Sequence, residues 1–343
     1  MAISSALGSS ALLPAGLGFR NVIINGAMQV SQRSAVGTAV TGITGSAYYT
    51  ADRFYTGLAT LGTWSQTTVA DAPTGSGFRN SLKMACTTAD ASPAAGDVLF
   101  LLQAIEGQNL QQFAKGTSSA KPFTLSFWVK SFQTGTFIIE FVDSDNSRSI
   151  SKSYTIDVSN TWEYKTLIFP ADVTGAFDND NNSSLSVIWW LGAGSTYSSG
   201  TLQTTWGTLT NANRAVGQTN LASSTSNNFQ ITGVQLEQNY QPTPFEQRPI
   251  GVELALCQRY YQRENDAAIV MLVDQAGSPG TGRYVAIQFP VYMRTNTYTA
   301  SGQTAAGAAS VYKKSLSGVG FSRATGSSSL GTDLQSWILD AEL

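Results

Sequence analysis

Residues 123–131 read FTLSFWVKS, and the alternation within them decides the fold class. Phe123, Leu125, Phe127 and Val129 fall on one phase; Thr124, Ser126, Trp128 and Lys130 fall on the other. A period of two belongs to a strand with one buried face, because successive side chains leave the pleated backbone on opposite sides. The pattern continues along the chain. Tyr154, Ile156 and Val158 alternate with Ser153, Thr155 and Asp157, and Trp162, Tyr164, Thr166 and Ile168 are expected to carry the scheme into the next strand, followed by Leu185, Val187 and Trp189. Polar runs at Asp143–Ser147 and Asp178–Ser184 supply turns between them. Phe229 and Ile231 share one phase while Val234 and Leu236 share the other, which places a β-bulge at Gly233. No long 3.6-residue period interrupts residues 21–245, so a βαβ architecture is excluded. Many short strands with Gly and Ser turns predict an all-β chain whose main body is a two-sheet, jelly-roll β-sandwich.

The flanking segments divide the chain further, into a docking arm (1–20), the sandwich (21–248), a linker helix (249–265) and a small C-terminal β domain (266–343). The arm carries Ile3, Leu7, Leu12, Leu13 and Leu17, lacks a basic start and is broken by Gly8, Pro14 and Gly16. It therefore reads as an assembly segment lying on another subunit, and neither as a signal peptide nor as a membrane span. Pro242, Pro244 and Pro249 precede a helix expected over Gly251–Asn265, where Leu254, Cys257 and Tyr261, with Leu256 and Tyr260, form an apolar stripe. Two uses stay open for it: a linker packed on the sandwich, or a subunit interface in which Leu254 and Tyr261 are assembly residues. Beyond it, Ala268–Val273, Arg283–Met293, Ser310–Tyr312, Gly318–Arg323 and Gln335–Leu339 are expected strands around a core of Val285, Ile287, Phe289 and Val291. The Ala, Ser and Gly stretch Thr299–Ser310 is expected to be a long exposed loop.

Composition removes whole classes of function. The 343 residues include no histidine, which excludes Ser-His-Asp and Cys-His catalysis and His-ligated metals. Cys86 and Cys257 are the two cysteines, far apart, and are expected to be buried free thiols; CxxC redox chemistry and four-sulfur metal sites are excluded. No cofactor is implied. Charged residues make up 12% with a formal net charge of −2, which offers no basic stripe for nucleic acid. The apolar runs are strand-sized, so no transmembrane helix is expected.

Candidate sites follow from residue type and context. Aromatic rings stack on the C–H faces of sugars. Trp64, Tyr197 and Trp206, set among Ser, Thr and Gly, are the glycan-facing candidates, whereas Trp128, Trp162, Trp189 and Trp190 lie in apolar strands and read as core. Asp178, Asp180 and Asn182 reproduce the opening spacing of a calcium loop, but no Gly stands sixth and Trp189 stands at the closing position, so an Asn-rich turn competes with the metal site. Asp143 with Asp145 is a weaker version. Neither a Walker loop, a dinucleotide fingerprint nor a nucleophile elbow occurs in a suitable context. Paired carboxylates for glycoside hydrolysis would leave no sequence signature, and the expectation is a protein that is not an enzyme.

Three segments carry a resemblance. FRNVIINGAMQVSQR (Phe19–Arg33), YTADRF (Tyr49–Phe54) and ITGVQLEQNYQPTPFEQRPIGVELALCQRYYQR (Ile231–Arg263) resemble a family of virion structural proteins of tailed bacteriophages, commonly tail fibres. FTLSFWVKS is similar to an internal strand of that family and of carbohydrate-binding jelly rolls. RYVAIQFPVYMR and the ending ILDAEL look like the β unit often appended to such proteins. In YTADRF, Tyr49 and Phe54 are expected in the core with Asp52 and Arg53 pairing or capping locally; Glu237, Glu246 and Arg248 are expected to hold the proline turn at the domain junction. The resemblance implies a virion protein made in the host cytoplasm, assembling as a homotrimer with other phage tail or head proteins and contacting a host surface polysaccharide. It implies equally a head decoration or tail adaptor without receptor contact, and a polysaccharide-binding module or depolymerase is the reading from another class. The resemblance brings no catalytic residue with it.

Overall fold

A computed structural model describes residues 19–264, 269–270, 272–273, 282–304, 307–324 and 333–343. Ile3, Leu7, Leu12, Leu13 and Leu17 of the expected arm lie outside the described residues. The sandwich is built from β1 (Val40–Ile43), β2 (Ala47–Tyr48), β3 (Tyr55–Ala59), β4 (Thr63–Val69), β5 (Ser81–Thr88), β6 (Val98–Glu106), β7 (Phe123–Ser131), β8 (Gly135–Asp143), β9 (Arg148–Ile156), β10 (Glu163–Phe169), β11 (Ser183–Ala193), β12 (Gly207–Thr208) and β13 (Asn228–Gln238). They form two antiparallel sheets, ordered β1-β4-β5-β13-β7-β10 and β12-β9-β8-β11-β6-β3-β2. The chain is all-β, a jelly-roll sandwich with a further β unit at its C-terminal end.

Between the sheets, Trp64, Leu82, Met84, Phe123, Leu125, Phe127 and Phe229 of the first face Leu99, Leu101, Phe137, Phe141, Val187 and Trp189 of the second, all fully buried. Rings interlock across the gap: Phe127 meets Trp189 edge-on at 6.1 Å and Phe141 stacks on Phe169 at 4.1 Å. Such pairs contribute about 0.5–1.5 kcal/mol beyond the area they bury. Gly233 has φ 61° where the β13–β7 register shifts between Thr232 and Gln235, so the phase change rests on a residue without Cβ.

Three expectations are corrected here. In β10 the phase is reversed: Leu167 pairs with Leu125 and Phe169 with Phe123, turning these two inward and Tyr164, Thr166 and Ile168 outward. Register with a neighbour of known facing decides this, and the apolar Tyr164 and Ile168 stay on the outer face of an edge strand. The helix is shorter than Gly251–Asn265. After the single turn α1 (Ser195–Ser198), α2 spans Ile250–Gln258, and Tyr261–Glu264 is already strand β14, in register with Asp340 to Trp337. Tyr260 and Tyr261 leave the helix because each ring lies against a guanidinium, Arg53 at 3.5 Å and Arg33 at 3.6 Å. Tyr261 is thus buried within its own chain, while Leu254 is half-buried beside a cluster of Ile24, Val30 and Cys257.

The C-terminal unit continues with β15 (Ile269–Val270), β16 (Leu272–Val273), β17 (Gly282–Gln288), β18 (Thr299–Thr304), β19 (Gly307–Ser315), β20 (Gly318–Ala324) and β21 (Asp333–Asp340), ordered β14-β21-β18-β19-β20-β17-β16 with β15 also on β21. The stretch Thr299–Ser310 is accordingly not a loop but the paired strands β18 and the start of β19; β21 supplies β18 with a partner that a weak strand composition does not announce. Pro290 cannot donate to a ladder, and β17 ends before it, leaving Val291 half-buried while Val285, Ile287 and Phe289 enter the core.

The sandwich and this unit meet in a buried polar cluster drawn from Arg33, Asp52, Arg53, Glu106, Arg259, Asp340 and Glu342. Asp52 and Arg53 do not pair with each other. Asp52 accepts from the Gln32 backbone at 3.0 Å and from its side chain, with Arg33 3.7 Å away. Arg53 binds the Glu342 carboxylate and donates to the Ala104 carbonyl at 2.6 Å. Arg33 reaches Asp340 and Glu342, each at 3.3 Å, Arg259 bonds Glu106 at 2.8 Å, and Arg294 donates to the Asn181 carbonyl at 2.8 Å. Burial pushes the Asp52 carboxyl up to about 6 against the pull of Arg33, while Glu342 keeps the Arg53 charge in place despite its burial. Glu237 caps the proline turn, accepting from Thr243 N at 2.8 Å, and Arg248 ties that turn to residues 21–23 through the Asn21 and Ile23 carbonyls.

Candidate functional site

The outer face of the six-stranded sheet carries an aromatic surface that its inner-facing residues position. With Phe127 and Val129 turned inward, Trp128 and Lys130 of β7 must point out. Tyr164 stands directly opposite Trp128 in the ladder, and their rings lie 5.3 Å apart. On the other side of Trp128, β13 places Thr232, and the bare Cα of Gly233 leaves room for the Phe78 ring: a Cβ there would come within 2.7 Å of Phe78 and 3.2 Å of Trp128. Phe78 in turn meets Phe245 edge-on at 4.8 Å.

One turn of pleat further, Trp162 lies just before β10 with Lys130 5.1 Å from its ring centre. Its Nε1–H donates to Asp71 at 3.3 Å, and Asp71 also pairs with Lys130. Partial burial works against the Asp71 charge, but the hydrogen bonds from Lys130 and Trp162 hold its carboxyl below the usual range. The surface is therefore a row of rings with its one ion pair internally neutralised. Tyr164 is 45% exposed and Trp128 half-buried; neither the Tyr164 hydroxyl nor the Trp128 indole N–H bonds to a described residue. Flat apolar faces bordered by free polar handles can stack on a sugar ring and bond its hydroxyls.

The candidates chosen from sequence lie elsewhere and apart from one another. Trp64 is fully buried on the inner face of β4, its Nε1–H donating to the Leu61 carbonyl at 2.8 Å, and cannot meet a glycan. The Ser and Thr around it mark the alternation of β4, not a loop. Tyr197 is half-buried over the seven-stranded sheet, against Trp190 at 5.6 Å, where Ile138, Ile188 and Ala215 form a separate small core. Glu140 is buried there with Arg214 at 2.9 Å; burial raises its carboxyl, and Arg214 opposes this. Trp206 packs at the rim of the main core, 6.0 Å from Phe123, and donates to the Pro170 carbonyl at 2.9 Å.

Trp128 and Trp162, read as core, are the half-buried rings of the outer face. The signal for Trp128 was available, since its phase in FTLSFWVKS is that of Thr124, Ser126 and Lys130. Of the metal candidates, Asp180 is occupied as a turn acceptor for the Asn182 backbone at 2.9 Å and side chain at 2.5 Å, and the Asp178 N–H bonds Asp145. Asp143 instead pairs with the buried Lys115 at 2.5 Å. Among the described residues no three Cys, Asp or Glu side chains converge as a metal site.

No protein-family model matches the chain, and no curated protein matches it. Solved structures overlap with it at low identity. The enzymatically active domain of tailspike protein 4 of bacteriophage CBA120 is 15% identical over 64% of this chain, with a TM-score of 0.31. The overlap spans 22% of that tailspike chain. A family 11 carbohydrate-binding module of Clostridium thermocellum, in complex with a β-1,3-1,4-mixed-linked tetrasaccharide, is 11% identical over 61% of this chain and 100% of its own, with a TM-score of 0.31. The module TmCBM61, in complex with β-1,4-galactotriose, is 8% identical over 64% and 99%, with a TM-score of 0.30. Likenesses of this depth leave ligand and role to the chain's own residues.

Proposed function

We propose that this chain is a non-enzymatic, glycan-binding virion protein, a tail-fibre-like subunit of a tailed bacteriophage that lays a host-surface polysaccharide across the Trp128–Tyr164 face. The observation that carries the binding reading is the adjacent, outward-facing pair of rings at 5.3 Å with an unused indole N–H and phenol O–H. A charged fraction of 12% and an internally paired Lys130–Asp71 suit an uncharged ligand. The virion role, the homotrimeric state and the contacts with other phage proteins rest on the resemblance of the Phe19–Arg33, Tyr49–Phe54 and Ile231–Arg263 segments.

The test is retention of the purified chain on immobilised host surface polysaccharide, beside a Trp128→Ala/Tyr164→Ala variant. Tenfold or greater loss is expected in a variant that circular dichroism and a cooperative melt show to be folded, together with no release of reducing ends by either protein. Equal retention of the two proteins refutes the aromatic face as the binding surface, and released reducing ends refute the non-enzymatic reading. Mass spectrometry of purified particles separates a virion subunit from a free module, and light scattering tests the trimer.

A further inference from the structure

A cleft of about 670 Å³ opens where residues 19–24, the turns Gly107–Asn109 and Gln111–Phe113, the end of β13 and α2 meet. It lies at Glu237–Asn239, five residues along β13 from the Thr232 that adjoins Trp128, or about 17 Å at the rise of a strand. Its size falls within the range of about 300–1,000 Å³ of small-ligand sites.

The lining divides into groups that are spoken for and groups that are not. Arg248 bonds Glu246 at 3.0 Å and the Ile23 carbonyl at 3.1 Å, and Glu237 accepts from Thr243 and Gln235. Arg248 and Glu237 are thereby consumed within the protein, and Arg20 donates to the Thr243 hydroxyl at 2.7 Å and stands 4.0 Å from Glu246 with 32% of its side chain exposed. The carboxamides of Asn109, Gln112 and Gln238 are different: they come from three separate elements, are exposed, and bond to no described residue. Each offers two donors and an acceptor in one plane, a set that matches adjacent hydroxyls on a sugar ring. Phe19 closes the wall with 60% of its surface exposed, its ring held 5.5 Å from the Arg248 guanidinium. Its φ of 52° is a conformation that aromatic residues seldom adopt.

We infer that this cleft is a second ligand site, separate from the aromatic face, that binds a neutral, hydroxyl-rich oligosaccharide segment. Carboxamides bond the hydroxyls and Phe19 covers a C–H face.

The experiment is calorimetric titration of the full chain with neutral gluco- and galacto-oligosaccharides. Three proteins are compared: wild type, Asn109→Ala/Gln112→Ala/Gln238→Ala, and Trp128→Ala/Tyr164→Ala. Because the three carboxamides support no intrachain hydrogen bond, the triple variant is expected to melt with the wild type. At least tenfold weaker binding of a neutral probe by the triple variant is expected, with a residual site in the Trp128/Tyr164 variant. Neutral binding unchanged in the triple variant, or binding of no neutral probe, overturns the inference. Loss confined to the Trp128/Tyr164 variant overturns it while leaving the aromatic-face reading standing.

Discussion

Replacing Arg53 by Met tests whether the two β units are held by a buried polar clasp. Arg53 is 1% exposed and loses three things at once: the Glu342 carboxylate, the Ala104 carbonyl and the Tyr260 ring. Breaking a buried ion pair from one side costs about 3–5 kcal/mol, because the remaining charge stays buried. Glu342, 4% exposed, keeps Arg33 at 3.3 Å, so the lower end applies and about 3 kcal/mol is expected. Glu342→Met should cost about 2–3 kcal/mol, since Arg53 retains its carbonyl and ring contacts. In Arg53→Met/Glu342→Met neither charge remains, and the double variant should be about 2 kcal/mol more stable than the sum of the single losses. The assay is guanidinium denaturation followed by tryptophan fluorescence, alongside calorimetry to show whether the C-terminal unit, which contains Trp337, separates as its own transition. A loss below about 1 kcal/mol for Arg53→Met, or strict additivity in the double variant, would refute the clasp.

Other outcomes follow from the same structure. Asp52 has its carboxyl raised to about 6 in the fold from an ordinary 3.8, so between these values the folded state binds the extra proton and stability falls as pH rises. Above pH 6 the ionised carboxylate costs about 3 kcal/mol relative to acid conditions; the stability difference between wild type and Asp52→Asn should therefore change across pH 4–7, and a flat difference counts against it. Lys115→Met strands the buried Asp143, while Asp172 keeps Arg148 at 2.8 Å, and removes bonds to the Thr174 and Gly175 carbonyls, with an expected loss of about 3–5 kcal/mol in urea unfolding. Gly233→Ala forces a Cβ against Phe78 and Trp128 at a positive φ, and should cost about 1–3 kcal/mol and shift Trp128 fluorescence; a variant as stable as wild type would remove the packing role given to this bulge.

The sequence by itself determined what depends on local pattern and composition. The alternation of FTLSFWVKS, the phase change at Gly233 and the run Val285–Phe289 specify strands and their buried faces because a period of two is a property of adjacent residues. The absence of histidine removed histidine-dependent catalysis and histidine-ligated metals by composition alone. Tertiary structure decided whatever depends on which strand lies beside which. Tyr164 faces outward because Leu167 and Phe169 register with inward residues of β7, and Trp64 is core because β4 alternates beneath a polar surface. Thr299–Thr304 forms a strand because β21 offers it an edge. Most of all, Arg53 finds Glu342 across 289 residues of chain, a partnership without local spacing that only the folded arrangement of the two β units supplies.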